Sequence, residues 1–129
     1  MLRKPPLDIR DYLFINCNYM ARHLLTDFEL MILLAALRIG DAAYGVPIAA
    51  EIERTGGRRV VVAAVYTALD RLEHNGLVTS TIGEPTPERG GRAKRFFQVT
   101  PQGMRAVKET QRALIALWKG IPQLKGGNV

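Results

Sequence analysis

A helix is predicted over Ala63–Asn75, because the apolar residues there recur at intervals of three and four and share one face: Val62, Val65, Leu69 and Leu72. Gly76 is expected to end this helix, since glycine adopts the left-handed conformation at no steric cost. A short strand is predicted directly before the helix, at residues 60–62.

The opposite face of this helix is small at its N-terminal end and polar further along, with Ala63, Ala64, Thr67, Arg71 and His74. Small side chains allow a partner to approach the backbone closely. A DNA major groove admits a helix that is read from its N-terminal half. The alternative is an ordinary amphipathic helix with a solvated outer face.

A long hairpin is predicted after the helix. The segments 77–82 and 95–100 are rich in β-branched and aromatic residues, and a Gly- and Pro-rich turn segment separates them. The hairpin tip is basic, and exposed guanidinium groups bind phosphate by charge and by forked hydrogen bonds. Its cations are Arg89, Arg92, Lys94 and Arg95, and a merely solvated loop is the alternative.

Two further helices are predicted before this unit. Thr26 and Glu29 have capping-box spacing, so the first should run from Asp27 to about Ile39. That helix is apolar nearly all round and must be covered on more than one side. One cover is the domain core, and the other is expected to be a second copy of the chain against Leu30, Met31 and Leu34.

The second helix should open at residues 44–47 and end at residues 55–57, with Pro47 in its first turn. Ile48 and Ile52 are expected to face inward, and Glu51, Glu53 and Arg54 outward. Arg58 and Arg59 follow it, either as phosphate contacts or as a charged turn.

The last helix is predicted over residues 101–121, with Thr100 as its cap and Pro101 in its first turn. Its seam positions alternate at intervals of three and four in a heptad pattern, with polar Gln111 in one core position: Met104, Val107, Gln111, Leu114, Trp118 and Ile121. Burial of this seam within its own domain is one alternative. Because little of the chain is left to cover it, the seam is expected to pair with the same seam of a second copy.

These elements predict a mainly α fold with a small β-hairpin wing, which is a winged helix-turn-helix with N- and C-terminal dimerisation helices. The DNA-binding domain is expected over residues 25–100, the dimerisation helix over 101–121 and a flexible tail over 122–129. Residues 1–24 are expected to be a flexible leader. Translation from Met20 and a real N-terminal arm are both open alternatives.

Composition narrows the class of protein. A chain of 129 residues suits one domain, and its net charge of +6 favours a polyanionic partner. The single Cys17 excludes an intrachain disulfide and fits the cytoplasm. The longest apolar run is too short for a bilayer, and acidic and basic residues interrupt any signal peptide near the N-terminus.

The chemistry-bearing residues predict no enzyme, no cofactor and no metal site. His23 and His74 lie far apart in the sequence, and no metal-ligand spacing or phosphate-binding glycine loop is present. Asp70 and Glu73 are interpreted as helix-surface charges, and Asp70 is expected to pair with His74 one turn later.

The segments AVYTALDRLEHNGLV and GGRAKRFFQVTPQG give the stretch from Leu25 to about Gly103 a specific resemblance to the PadR family of winged-helix transcriptional regulators. With one helix after the wing, the chain resembles the shorter members. The resemblance implies a dimeric repressor whose helix over Ala63–Asn75 reads an operator. It also implies DNA contacts for Tyr66, Arg92, Lys94 and Arg95.

The predicted function is that of a homodimeric, cytoplasmic repressor that binds a pseudo-palindromic DNA duplex. Contacts to bases or nearby phosphates are expected from Ala63, Ala64, Tyr66, Thr67 and Arg71, and backbone phosphate contacts from Arg58, Arg59 and the basic hairpin. The resemblance also implies a small hydrophobic or aromatic effector, for which Trp118 is the candidate contact. A winged-helix adaptor that binds another protein is the alternative function.

Overall fold

The computed structural model describes residues 24–84 and 93–125. These residues form four α-helices, a two-stranded antiparallel sheet and two single 3-10 turns at Gly40–Ala42 and Pro122–Leu124. The predicted fold class is confirmed, because the protein is mainly helical with one β-hairpin wing. The elements are α1 Asp27–Ile39, α2 Gly45–Gly56, α3 Val62–His74, β1 Val78–Ile82, β2 Arg95–Val99 and α4 Pro101–Trp118.

The start of α1 is fixed by the capping box that the sequence predicts. The Thr26 hydroxyl oxygen accepts a hydrogen bond from the Glu29 backbone N–H at 3.2 Å, and the Thr26 N–H donates to the Glu29 carboxylate at 2.9 Å. Two backbone donors that a helix start leaves unsatisfied are thereby satisfied, for a gain of about 1 kcal/mol.

The core lies where α1, α2 and α3 meet beneath the wing. The apolar face predicted for α3 is confirmed, since Val65, Leu69 and Leu72 are fully buried. The other elements contribute large buried side chains to the same cluster: Ile32, Leu33, Ile48, Ile52, Val78 and Phe97. Packing of this cluster fixes α3 against the domain and leaves its opposite face to solvent.

The short strand predicted at residues 60–62 is wrong. Val61 is extended but is the N-cap of α3, and the sheet in the described part of the chain contains only β1 and β2. Val60 and Val62 pack their side chains against the core, while the Val60 N–H donates to the Glu53 carboxylate at 2.9 Å. Because the Val60 N–H is bonded to the Glu53 side chain, it is not available to pair with a strand.

The wing strands pair in antiparallel register, with Val78 opposite Val99 and Ile82 opposite Arg95. The Phe97 N–H donates to the Ala43 carbonyl at 2.8 Å, so the turn after α1 holds β2 by its backbone. Beyond the strands, the Gly83 N–H donates to the Lys94 carbonyl at 2.7 Å. The base of the wing therefore has a defined position on the helical core.

Thr100 caps α4 as predicted, because its hydroxyl oxygen accepts the Gly103 N–H at 3.0 Å. The same hydroxyl donates to the Gly76 carbonyl at 2.7 Å. Gly103 sits where a Cβ would be 2.2 Å from the Leu77 carbonyl oxygen. This close approach places the first turns of α4 directly on the end of α3 and the start of β1.

The seam predicted along α4 needs two corrections. Val107 is only 8% exposed and belongs to the core of its own chain. Ile121 lies beyond the helix, because α4 ends at Trp118 and Gly120 has a positive φ of 79°. The large apolar side chains that α4 leaves exposed all lie in its second half, with Leu114 and Trp118 each about half exposed.

Glu51 was expected to face outward and instead lies buried, with a side chain only 9% exposed. The Arg38 Nε of α1 donates to its carboxylate at 3.3 Å, and Arg54 and Thr55 of α2 are further partners. Hydrogen bonding from Thr55, together with the two arginines, holds the pKa of Glu51 below its ordinary value. Because its carboxylate is paired, Glu51 can be buried without the cost of an unpaired charge.

The thermal unfolding temperature is expected to fall as the pH is lowered through the acid range. The folded-state pKa of Glu51 is depressed, so its stabilisation is complete above the ordinary glutamate pKa and is lost as the pH falls towards the folded-state value. Glu51→Gln should lower the unfolding temperature by a few degrees at neutral pH and converge with the wild type in acid. Calorimetry at several pH values, with exposed Glu84→Gln as control, measures this; a constant difference across the range would contradict it.

Candidate nucleic-acid interface

The outer face of α3 is open along its whole length. Ala63, Ala64, Thr67 and Arg71 are all exposed, as the sequence predicts. The Thr67 hydroxyl donates to the Ala63 carbonyl at 3.0 Å, so its methyl group is the part free to meet a partner. Arg71 makes no ion pair with any residue in the described ranges, which leaves its guanidinium available to an anion.

Tyr66 is half-buried and ties α3 to the start of α2. A Cβ built on Gly45 would lie 2.3 Å from Tyr66 Cζ and 2.8 Å from its hydroxyl oxygen. The ring therefore occupies the space above this glycine, and α2 and α3 approach as closely as they do because residue 45 has no side chain. Tyr66 reaches the interface at the junction of the two helices rather than at the centre of the α3 face.

The two arginines before α3 have different surroundings. The Arg58 Nη1 lies 3.1 Å from an Asp27 carboxylate oxygen, and the guanidinium stacks 5.0 Å from the centre of the Phe28 ring. These contacts hold Arg58 against the start of α1, which favours the charged-turn interpretation. Arg59 is exposed and has no ion pair among residues 24–84 and 93–125.

On the wing, Lys94 lies next to the first residue of β2. Its Nζ is 4.9 Å from the centre of the Tyr44 ring, which in turn meets Phe96 edge-on at 5.7 Å. A cation held over an aromatic face keeps its charge while its position is restricted. Arg89 and Arg92, which the sequence assigns to the same basic tip, lie outside the described residues.

Arg95 does not lie free on the wing. Its Nη1 donates to Asp70 at 2.8 Å, its Nη2 donates to Glu73, and its Nε donates to the Ser80 hydroxyl oxygen at 3.1 Å. The Ser80 hydroxyl and Arg95 hold the pKa of Glu73 below its ordinary value, and hydrogen bonding to Asp70 raises the pKa of Arg95. Asp70 pairs with this arginine, not with His74 as expected from the sequence.

The predicted phosphate contact by Arg95 is therefore not the role that its contacts favour. Sequence reasoning also missed its partners Asp70, Glu73 and Ser80. A signal was available, because side chains in a strand alternate and Arg95 shares its face with the buried Phe97. That alternation turns the guanidinium towards α3.

A second feature, an apolar groove of about 680 Å³, lies between α1 and the second half of α4. Besides Ile115 and Lys119, its lining consists of residues of the predicted dimer interface: Leu30, Leu34, Val107, Gln111, Leu114 and Trp118. Met31 faces a separate cavity of about 400 Å³ between α1 and α2. Met104 is partly buried at the start of α4. The predicted interface residues thus do not form one surface.

The sequence profile described as "Transcriptional regulator PadR-like family" matches residues 33–109, which is more than half of the chain. The protein belongs to this family. The PadR resemblance found in the sequence is thereby confirmed, and the protein is a DNA-binding transcriptional regulator rather than a member of an enzyme family. Within the PadR fold, α2 and α3 form the helix-turn-helix and β1 and β2 form its wing.

Solved structures share this PadR fold. A transcriptional regulator from Clostridium thermocellum is 23% identical, with a TM-score of 0.62 over 87% of this chain and 95% of its own. A PadR-family regulator from Eggerthella lenta DSM 2243 is 20% identical, with a TM-score of 0.60 over 93% of this chain and 97% of its own. The complex structure of hsRosR-SG is 27% identical, with a TM-score of 0.57 over 80% of this chain and 83% of that chain.

No curated protein sequence matches the chain significantly. Among the described helices, none is long and apolar enough to cross a membrane. The PadR regulator thus presents an exposed face of α3, nearby cations without an ion pair among the described residues, and an apolar groove between α1 and α4.

Proposed function

We propose that the protein is a homodimeric repressor that binds a pseudo-palindromic DNA operator. The observation that carries this proposal is the exposed face of α3, which is small at its N-terminal end and lies beside cations with no carboxylate partner in the described residues. A face of this shape and charge suits a major groove with phosphates on both sides.

Within this interface, base and phosphate contacts divide between two sets of residues. Ala63, Ala64, Thr67 and Arg71 face bases, and Tyr66 reaches the groove edge from the α2–α3 junction. Arg59 and Lys94 neutralise phosphates, together with Arg89 and Arg92 of the wing loop. Arg58 supports α1 and contributes charge at longer range. Specificity then depends on the first set and affinity on the second.

A second copy of the chain is the proposed occupant of the groove between α1 and α4. Leu34, Leu114 and Trp118 are between 43% and 49% exposed in the single chain, and large apolar side chains clustered at this exposure are characteristic of an interface. A two-fold dimer places the same surface on both copies. Two α3 helices would then enter successive major grooves about 34 Å apart.

Repression follows from occupancy of this site, since a bound dimer excludes other proteins from the same stretch of duplex. A small hydrophobic or aromatic effector that contacts Trp118 remains a prediction, supported by the apolar lining of the groove. The cytoplasmic location, the flexible leader and tail, and the division at residue 100 between DNA-binding and dimerisation segments also remain predictions.

Mobility shift with the upstream region of its own gene tests the proposal. Binding is expected at low salt, with reduced transcription of that template in a purified run-off assay. The double variant Arg92→Ala/Lys94→Ala is expected to weaken binding to operator and scrambled duplexes by the same factor, about tenfold or more, because phosphate contacts carry no sequence information. A loss confined to one operator would contradict the phosphate assignment.

The adaptor alternative makes the opposite prediction for the same experiment. A winged helix that binds only other proteins would not shift any duplex, even in dilute buffer. Increased transcription of the bound template would leave the DNA interface intact but overturn the repressor role.

A further inference from the structure

Arg95 makes a hydrogen bond through every nitrogen of its guanidinium group. Nη1 and Nη2 donate to the Asp70 and Glu73 carboxylates of α3, and Nε donates to the Ser80 hydroxyl of β1. The guanidinium plane also stacks 4.9 Å from the centre of the Phe97 ring. Its hydrogen-bond acceptors thus lie on two other elements of its own chain, α3 and β1.

Arg95 lies at the base of the wing, so its contacts can fix the position of the wing. It is the first residue of β2 and lies opposite Ile82, so it marks the point where the wing loop leaves the sheet. On the other face of β2, Phe96 packs edge-on against Tyr44 at the start of α2. The base of the wing is therefore held from two sides, by α3 through Arg95 and by α2 through Tyr44.

The carboxylates that Arg95 contacts lie on the helix proposed to enter the major groove. Asp70 is exposed and Glu73 is half-buried, and both would repel phosphates if they were unpaired. Arg95 offsets part of this negative charge and simultaneously fixes the angle between α3 and the hairpin. One side chain thus affects both the charge and the geometry of the interface.

We propose that Arg95 is a positioning residue that sets the wing relative to α3, so that both elements engage the same duplex. The inference rests on the proposed function, because it concerns how the DNA interface is assembled. Asp70, Glu73 and Ser80 are the partners through which Arg95 acts, and Arg95 itself does not contact phosphate.

Substitution by lysine separates this role from that of a phosphate ligand. Lysine keeps the positive charge and binds phosphate as a point charge, but it cannot bond two carboxylates and a hydroxyl in one plane. A phosphate ligand would therefore tolerate Arg95→Lys. A positioning residue would not, because the wing would no longer be held at its angle to α3.

The experiment uses full-length protein and a duplex selected by the wild type from a random pool, with a scrambled duplex for comparison. Arg95→Lys is expected to lower the affinity for the selected duplex about tenfold, because the contact is lost in both copies of a dimer. Its affinity for scrambled DNA should match the wild type, because the net charge is unchanged. Arg112→Lys, at an exposed arginine of α4 outside the proposed DNA interface, is the matched control for the lysine substitution and should keep the wild-type affinity for both duplexes.

Glu73→Gln provides the second test without removing a cation. If Arg95 positions the wing, the ratio of selected to scrambled affinity falls, and the double variant with Arg95→Lys loses less than the sum of the two. If Arg95 contacts phosphate, Glu73→Gln leaves the ratio of selected to scrambled affinity unchanged, because the lost negative charge and the freed arginine strengthen binding to both duplexes alike. An unchanged ratio, or wild-type binding by Arg95→Lys, would overturn the proposal. A wild-type protein that binds no duplex would instead refute the proposed function.

Discussion

Replacing Leu114 by aspartate is expected to convert the proposed dimer into a monomer and to lower operator affinity by at least about 100-fold. Leu114 is 49% exposed in the groove between α1 and α4, where a second copy would cover it. A carboxylate buried there without a partner costs about 3 kcal/mol or more per copy. Light scattering after gel filtration and fluorescence anisotropy with a labelled duplex measure the two effects.

Ala116→Asp is the matched control for this variant. Ala116 lies two residues further along α4, on the opposite face of the helix, and is exposed. The same charge introduced there should leave both the dimer and the affinity near those of the wild type. A dimeric Leu114→Asp protein with unchanged affinity would exclude the groove as the interface between copies.

Raising the salt concentration from 50 to 200 mM is expected to reduce DNA affinity by about 10³ to 10⁵-fold. This range corresponds to about six to ten phosphate contacts per dimer, each of which releases condensed counterions from the duplex. The chain supplies candidates from two places: Arg59 before α3, and Arg89, Arg92 and Lys94 on the wing. Anisotropy titrations at four or five salt concentrations give the slope directly.

Single substitutions show which residues contribute to the salt dependence of DNA affinity. Arg59→Ala removes one phosphate contact per copy and should reduce the slope by about two in the dimer. Arg112→Ala, at an exposed arginine in the second half of α4, should leave the slope unchanged. A salt dependence that is flat in the wild type would be incompatible with a phosphate-binding interface.

The local elements of the fold could be predicted from the sequence because their signals are local. The capping box at Thr26 and Glu29 gives the start of α1 and is found as predicted. The spacing of Val65, Leu69 and Leu72 gives the buried face of α3, and Gly76 ends that helix with a positive φ of 78°. Each of these signals lies within a few residues of the feature it specifies.

The errors concern side chains whose partners are distant in the sequence. The position of Glu51 on its own helix predicts exposure, but Arg38 of α1 comes close enough to pair with its buried carboxylate. Val107 was assigned to a partner because a heptad pattern does not show which neighbour covers it. In the fold it joins its own core, since Gly103 lets α4 lie against Leu77.

The same distinction between local signals and contacts distant in the sequence applies to the candidate site. Exposure of Ala63, Ala64, Thr67 and Arg71 could be predicted from helical spacing alone. The separation of Arg58 and Arg59 into a paired and an unpaired arginine could not, because Asp27 lies 31 residues away from Arg58. The sequence shows which residues are arginines, but whether a guanidinium group is free to contact DNA depends on the tertiary fold.

The hydroxyl of Thr100 links the end of α3 to the start of α4. It donates to the Gly76 carbonyl just after α3 and accepts the Gly103 N–H in the first turn of α4, so it lies where these two helices meet. The 18 residues of α4 extend about 27 Å from that point, and a tilt of about 10° there moves the far end by about 5 Å. In the proposed dimer, the spacing between the two α3 helices, and so between the half-sites they bind, would therefore depend on the hydrogen bonds of Thr100.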